Sequence, residues 1–235
     1  MSHNLPTLNA FSYSFDEVMD MFALTQDELK MRILHYNAGI SSFAATMHFR
    51  DGMVIAADAI YSESAPNLEK QILQGQQALK KEIETYPERF ALKQSVETWL
   101  TAHEGRNVLF LEDFEAGKTQ KRYIAASLPH LPFEGEAFDL VLVAHHFFMQ
   151  AKNLETMLAD LAELTRVANE VRIFPLLSDS ASLPHSVGEI AAHLQHLGLG
   201  VEIKSSHFEL QKQGNALMRV FNPSCSVTQH QKFQG

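Results

Sequence analysis

The stretch that most restricts what this chain can fold into is Met31 to Tyr61. An apolar run, Met31 to Tyr36, ends in Asn37-Ala38-Gly39, and after Ile40 the pair Ser41-Ser42 opens a segment with Phe43, Ala44, Met47 and Phe49 at helical spacing. Asp51-Gly52 makes a turn, and a second apolar run, Met53 to Ala57, ends at Asp58 and Ala59. Both runs are apolar on both faces, as a parallel strand covered by helices requires. A strand that feeds a helix through a glycine turn and returns to a parallel strand is the start of a doubly wound sheet. Ligands of such sheets lie outside the carboxyl ends of the strands. Here those ends carry His35, Asn37, Ala38, Gly39 and Asp58, which together read as a nucleoside-binding crevice.

The rest of the chain extends that pattern. Ahead of it, Ser14-Phe-Asp-Glu17 and Thr25-Gln-Asp-Glu28 are capping-box sequences, the first opening a short helix with Val18, Met19 and Phe22. This segment either packs on the sheet edge or forms a lid over the crevice. Residues 62–121 are expected to form a helical insertion within one domain spanning 1–235. Leu68, Ile72, Leu79 and Ile83 mark one helix, and Leu92, Val96, Trp99 and Leu100 another. Val108 to Leu111 suits either element type, and Glu115-Ala-Gly-Lys-Thr119 reads as a turn. Arg122 to Ser127 is a third strand leading to Leu128 and a loop stiffened by Pro129 and Pro132. Phe138 to Ala144 is the clearest buried strand and runs into His145-His146. Asn153 caps a helix bearing Leu154, Met157, Leu158, Leu161 and Leu164 on one face. Glu170 to Phe174 is a fifth strand stopped by Pro175, and Ser186-Val-Gly-Glu189 caps a further helix that Gly198 ends. Val201 to Lys204 and His207 to Leu210 read as extended, Gln213-Gly-Asn215 turns, and Ala216 to Phe221 returns as an antiparallel partner. The expected class is α/β: a doubly wound, mostly parallel seven-stranded sheet ending in an antiparallel hairpin.

Charge and composition exclude several functions. With 28 acidic against 19 basic residues and a formal charge of -9, the chain offers no basic run for a nucleic acid. A lone cysteine, Cys225, makes no internal disulfide and fits a reducing cytoplasm. The first residues lack the cationic and apolar regions of a signal peptide. No apolar run approaches the roughly 20 residues of a membrane span. The twelve histidines form no metal-ligand spacing, so no metal site is expected.

From about Phe15 to Phe221 the chain resembles the class I S-adenosylmethionine-dependent methyltransferases. The resemblance is carried by Ile33-Leu-His-Tyr-Asn-Ala-Gly39-Ile-Ser-Ser-Phe43, by Val54-Ile-Ala-Ala-Asp58, by Leu131-Pro-Phe133 with Phe138-Asp-Leu-Val-Leu142, and by the closing hairpin. Within that fold it is similar to an uncharacterised bacterial group sharing the Ser-Ser-Phe turn and the Glu-Val-Arg-Ile-Phe-Pro strand. The resemblance implies S-adenosylmethionine as cofactor and Asp58 as the grip on its ribose hydroxyls. It places His35, Asn37, Ala38, Gly39, Asp58, Ala59, Ser127 and Leu128 around the cofactor. The chain departs from the family at three places: His35 stands where an acid is usual, Gly39 is the turn's one glycine, and Ala126-Ser127 replace an Asp facing adenine.

S-adenosylmethionine has no phosphates, so it needs less of the glycine cradle that a pyrophosphate requires. Gly39 with Ser41 and Ser42 can let the backbone approach an amino-acid carboxylate; equally, Gly39 serves a plain tight turn, Asp58 a strand-end turn, and His35 the core. Methyl transfer is an in-line displacement, which needs the nucleophile held about 3–3.5 Å from the methyl carbon. His145 and His146, past the fourth strand, are the candidate catalytic residues, since histidine can take a proton near neutrality; the alternative is that they only orient the loop. Phe147, Phe148 and Met149 form an apolar wall or simply pack. There is no Asn/Asp-Pro-Pro-Tyr there, so methylation of a nucleic-acid amino group is not expected. The expectation is a small-molecule methyltransferase; the alternative is a binding protein of the same fold that has lost catalysis. A nicotinamide oxidoreductase ranks below both, because Gly-x-Gly-x-x-Gly is absent and the final hairpin is wrong for it.

Overall fold

The computed structural model describes residues 12–144, 147–148, 152–178 and 181–224. Among these residues seven strands form one sheet: β1 (Ile33–Tyr36), β2 (Val54–Ala57), β3 (Tyr123–Ile124), β4 (Phe138–Ala144), β5 (Ala168–Phe174), β6 (Gly200–Ser205) and β7 (Ala216–Phe221). Their order is β3-β2-β1-β4-β5-β7-β6. β1 is central, with Ile33 opposite Val54 of β2 and Leu140 of β4 in parallel register. β7 is the exception: it runs antiparallel between β5 and β6. The doubly wound sheet and its antiparallel end are those expected from the sequence.

Among the described residues six α-helices cover it: α1 (Phe15–Phe22), α2 (Phe43–Phe49), α3 (Ala65–Thr85), α4 (Val96–Thr119), α5 (Leu154–Val167) and α6 (Ser186–His196). Strand alternation separates two cores. Ile33 faces the helices α1 to α4, whose Val18, Met21, Leu79 and Phe110 are buried there. Leu34 and Tyr36 face α5 and α6, with Leu161, Leu164 and Ile190. The capping box of α1 forms: Ser14 Oγ accepts from the Glu17 N–H at 3.1 Å, and the Glu17 carboxylate accepts from the Ser14 N–H at 2.9 Å.

Several local expectations are corrected. β3 spans two residues, not 122–127; past Ile124 the chain leaves the sheet, and only Ser127 and His130 bridge one another. α4 runs unbroken for 24 residues, taking in both Val108–Leu111 and the expected turn at 115–119. Gly117 sits inside it because the Tyr123 ring lies on its Cα, where an added Cβ would stand 2.4 Å from ring carbons. Residues 207–210 form no strand; Ser206 Oγ instead donates to the Asp20 carbonyl at 2.9 Å and accepts from the Phe208 N–H at 3.0 Å. Ser186 begins α6 as a helical residue, and the residue before it, His185, makes no capping bond. The Thr25–Glu28 box forms its hydrogen bonds but starts only one 3-10 turn, Glu28–Lys30.

A buried ion chain ties the segment after α1 to the sheet. Arg172 of β5 donates to Glu28, to the Phe22 carbonyl at 2.8 Å and to Glu170 at 2.7 Å. Arg219 of β7 continues the chain, donating to Glu170 at 2.7 Å and to Glu202 at 2.9 Å. Four of these five residues are buried, and each of those four charges meets an opposite one, which is the condition for tolerating charge in a core. Among the described residues no helix is long and apolar enough to cross a membrane.

Candidate functional site

The turn between β1 and α2 has left-handed backbone at two places, Asn37 (φ +50°) and Gly39 (φ +54°), the residue types that adopt it most readily. A Cβ built on Gly39 would meet nothing within 4 Å, so glycine is needed there for its dihedral and that side of the turn is open. Asp58, at the tip of β2, reaches across to this turn. Its Oδ2 accepts from the Gly39 N–H at 2.9 Å, and its Oδ1 accepts from the Ile60 N–H at 3.1 Å, capping a 3-10 turn at Ala59–Ser62. Tyr61, in that 3-10 turn, donates its hydroxyl to the Gly39 carbonyl at 2.8 Å. Its ring is buried among Phe110, Phe114 and Tyr123. Both backbone polar groups of Gly39 are thus held by the segment that follows β2.

A second tether joins the tip of β1 to the loop after β3. The Tyr36 hydroxyl accepts from the Leu128 N–H at 2.9 Å, with Ser127 exposed beside it. The structure therefore gathers Asn37, Ala38, Gly39, Asp58, Ala59, Ser127 and Leu128 around the tips of three neighbouring parallel strands. Burial pushes the Asp58 carboxyl up from its ordinary value, and the N–H groups of Ile60, Gly39 and Ala59 oppose that rise. Burial likewise raises the Tyr36 hydroxyl. Tyr36 and Tyr61 were not among the candidate residues. Their only signal in sequence is position: one ends the first strand, the other follows the strand-end Asp by three.

His35 does not join this group. Its ring is 1% exposed and lies edge-on to Phe22 and Phe43, with centroids 6.2 and 5.8 Å away. Neither ring nitrogen has a hydrogen-bond partner among the described residues, and burial drops the pKa to about 3. Ser41 and Ser42 are also used differently from expectation. Both hydroxyls are buried and donate to the Tyr13 carbonyl, at 3.2 and 3.3 Å, pinning the segment ahead of α1 to the turn. Ser42, the residue that precedes α2, makes no side-chain cap.

His145 and His146 lie outside the described residues, as does Met149. Phe147 and Phe148 are buried and pack edge to face at 5.1 Å. Among the described residues no group of three or more His, Cys, Asp or Glu side chains could hold a metal ion.

No family model matches the chain. The strand order and the antiparallel β7 decide the architecture. The fold is that of the class I methyltransferases. The chain is 24% identical over 220 residues to an uncharacterized protein, MJ0045, of the archaeon Methanocaldococcus jannaschii, covering 92% of this chain and 96% of that one. Similar solved structures include magnesium protoporphyrin IX methyltransferase from Synechocystis with bound S-adenosylmethionine: 11% identity, 88% of this chain and 77% of that one, TM-score 0.47. Another is an S-adenosylmethionine-dependent methyltransferase from Aquifex aeolicus: 15% identity, 86% and 90%, TM-score 0.41.

Proposed function

We propose that this chain is a cytoplasmic S-adenosylmethionine-dependent methyltransferase acting on a small molecule. The observation that carries the reading is Asp58: a partly buried carboxylate at the tip of β2, held against the backbone of the β1–α2 turn. An ionised carboxylate has about four acceptor positions. Two are taken by the Gly39 and Ile60 N–H groups, and even with the Ala59 N–H counted one stays free for a sugar hydroxyl. The open side of Gly39 leaves backbone for the ligand to approach. These residues fit an adenosine-bearing ligand without phosphates. When bound, S-adenosylmethionine would supply an activated methyl group on a sulfonium.

The chain's own residues would then act as follows. Asp58 holds the ribose hydroxyls, and Asn37, Ala38 and Gly39 present backbone to the amino-acid end. Ser127 and Leu128 flank the base, their loop fixed by the Tyr36 hydroxyl. His145 and His146, following β4, are the proposed proton acceptors for the nucleophile. The acid that the family places at position 35 is replaced here by a neutral, buried histidine. That replacement favours one alternative, a protein of this fold that binds the cofactor or its product without transferring methyl groups.

Calorimetry with S-adenosylmethionine, its demethylated product and NAD tests the reading. The first two should bind and NAD should not; NAD binding alone would overturn it. Asp58→Ala should weaken binding by about 1–3 kcal/mol, roughly 5- to 150-fold. An unchanged affinity would remove Asp58 from the site. Tight product binding with no methyl acceptor in a metabolite screen would select the non-catalytic alternative.

A further inference from the structure

A second concavity lies at the same carboxyl-end edge, between α1, the segment leading into α4, and the β6–β7 connection. It is a half-open cleft of about 210 Å³. That is below the roughly 300–1,000 Å³ of pockets for drug-sized ligands, so it suits a molecule of about ten heavy atoms. Its walls include Trp99, Phe208, Glu17, Asp20, Lys93 and Glu209. From this cleft we infer a binding site for a small organic amine with an apolar body. The inference does not depend on the methyl-transfer reading, because amine binding here needs no cofactor.

Aromatic surface and charge make the argument together. The Trp99 side chain is almost fully buried, and His103 lies close against its ring at 3.6 Å, so what it offers the cleft is a fixed apolar wall. Phe208 is fixed by edge contacts with Tyr13 and Phe174, at 5.8 and 6.1 Å. A cation gains from the face of an aromatic ring, and Phe208 is the half-buried ring on these walls. Three acidic residues line the same cleft. Glu17 is matched by Arg106 at 2.7 Å. Glu209 accepts the Gln213 N–H at 2.7 Å and makes no ion pair among the described residues. The Asp20 carboxylate has no partner among the described residues; its residue's bonds to Ser206 and His207 run through the backbone carbonyl. Among the described lining residues Lys93 is the one lysine or arginine, with His207 on the same walls, and its exposed residue can carry the ammonium into water on its own stem. After these pairings two carboxylates of the cleft, those of Asp20 and Glu209, stand outside any ion pair among the described residues, with Lys93, His207 and the half-buried Phe208 ring on the same walls. That arrangement favours a cation and repels an anion of the same shape.

The test uses a built-in reporter, since Trp99 is the chain's one tryptophan. Phenethylamine, titrated into the full-length protein without cofactor, should change the tryptophan emission saturably. Its uncharged and anionic analogues, 2-phenylethanol and phenylacetate, should bind at least about fivefold more weakly. Asp20→Asn, a change at an exposed position, should weaken phenethylamine about two- to fivefold, while Lys93→Ala should tighten it. A flat emission up to about 10 mM, an affinity weaker than most specific small ligands show, would overturn the inference. So would phenylacetate binding as well as the amine. Phenylalanine binding better than phenethylamine would replace the amine by a zwitterion and overturn the assigned class. None of these outcomes bears on Asp58, so a failure here leaves the cofactor reading standing.

Discussion

Replacing His35 by leucine should make the protein more resistant to mild acid, and the size of the effect follows from the burial of one ring. In the folded state burial holds the His35 pKa near 3 against an ordinary 6.5. The native imidazole therefore stays neutral at pH 5, while the unfolded one is mostly protonated. A group whose folded pKa is depressed in this way draws protons to the unfolded state, so stability falls as pH drops below 6.5. Each unit below the unfolded pKa costs about 1.36 kcal/mol, so His35 costs about 2 kcal/mol at pH 5 and about 0.2 kcal/mol at pH 7. His35→Leu removes that pH-dependent cost. It also removes two ring nitrogens that have no partner among the described residues. Leucine fills a similar volume between Phe22 and Phe43, and any packing change it brings is the same at both pH values. The difference of differences isolates the titration: urea unfolding of both proteins at pH 7 and pH 5 should show the variant gaining about 2 kcal/mol relative to the parent on acidification. His103, also buried with its pKa near 3, stays in both proteins and cancels. Parallel stability losses in the two proteins would show that the native ring at position 35 accepts a proton, and the reading of His35 as a neutral core residue would be wrong.

Two further outcomes are expected. Arg172→Met removes the guanidinium facing Glu28 and leaves Glu170 paired with Arg219; breaking such a buried pair costs about 3–5 kcal/mol, or roughly 6–20 °C in the melting temperature of a chain this size. Burial pushes the Glu170 carboxyl up, but Arg219 and Arg172 outweigh it and hold it low, so its stabilisation is present above about pH 4.5 and lost as pH falls; the variant's acid-unfolding midpoint should therefore rise, and a melt within 2 °C of the parent would refute the role of the chain. Tyr61→Phe removes one buried hydrogen bond, worth about 0.5–1.5 kcal/mol, and frees the Gly39 carbonyl; it should lower affinity for S-adenosylmethionine in calorimetry while the melt shifts by only a few degrees, and an unchanged affinity would show that the turn does not need this brace.

How much of this was legible in the sequence depends on the range of the interaction. β4 was read to the residue, because seven consecutive apolar-biased positions between turns have one good explanation in a parallel sheet. The mostly parallel sheet and its antiparallel end followed from the repeated strand–helix unit and the final return. α4 was misread where Gly117 and its neighbours look like a turn, because the ring that makes glycine necessary there, Tyr123, approaches in space. Asn215 and the glycine before it suggested a tight hairpin, yet ten residues separate β6 from β7 and hydrogen-bond to α1 and the segment before α4 instead. Asp58 was legible as a strand-end acid, whereas its grip on Gly39 was not, since a 2.9 Å contact across nineteen residues leaves no periodic trace.

That grip also shows how a turn with a single glycine is held in shape. Extra glycines let a backbone take up positive φ freely, but they leave the unfolded chain with more conformations to lose. Here Asn37 supplies one left-handed residue, and the conformation of Gly39 is enforced from outside, its N–H by Asp58 and its carbonyl by Tyr61. Ser41 and Ser42 fasten the far side of the turn to the Tyr13 carbonyl. A turn braced at its N–H, at its carbonyl and at its following serines has little freedom left to lose when a ligand arrives, which lowers the ordering cost that binding must offset. The brace makes a specific demand on the carboxylate. Asp58→Asn would turn an amide N–H toward one of the two backbone N–H groups, so it should loosen the turn as well as the ribose contact. Asparagine should therefore cost more in cofactor affinity than the loss of a single hydrogen bond to the sugar would.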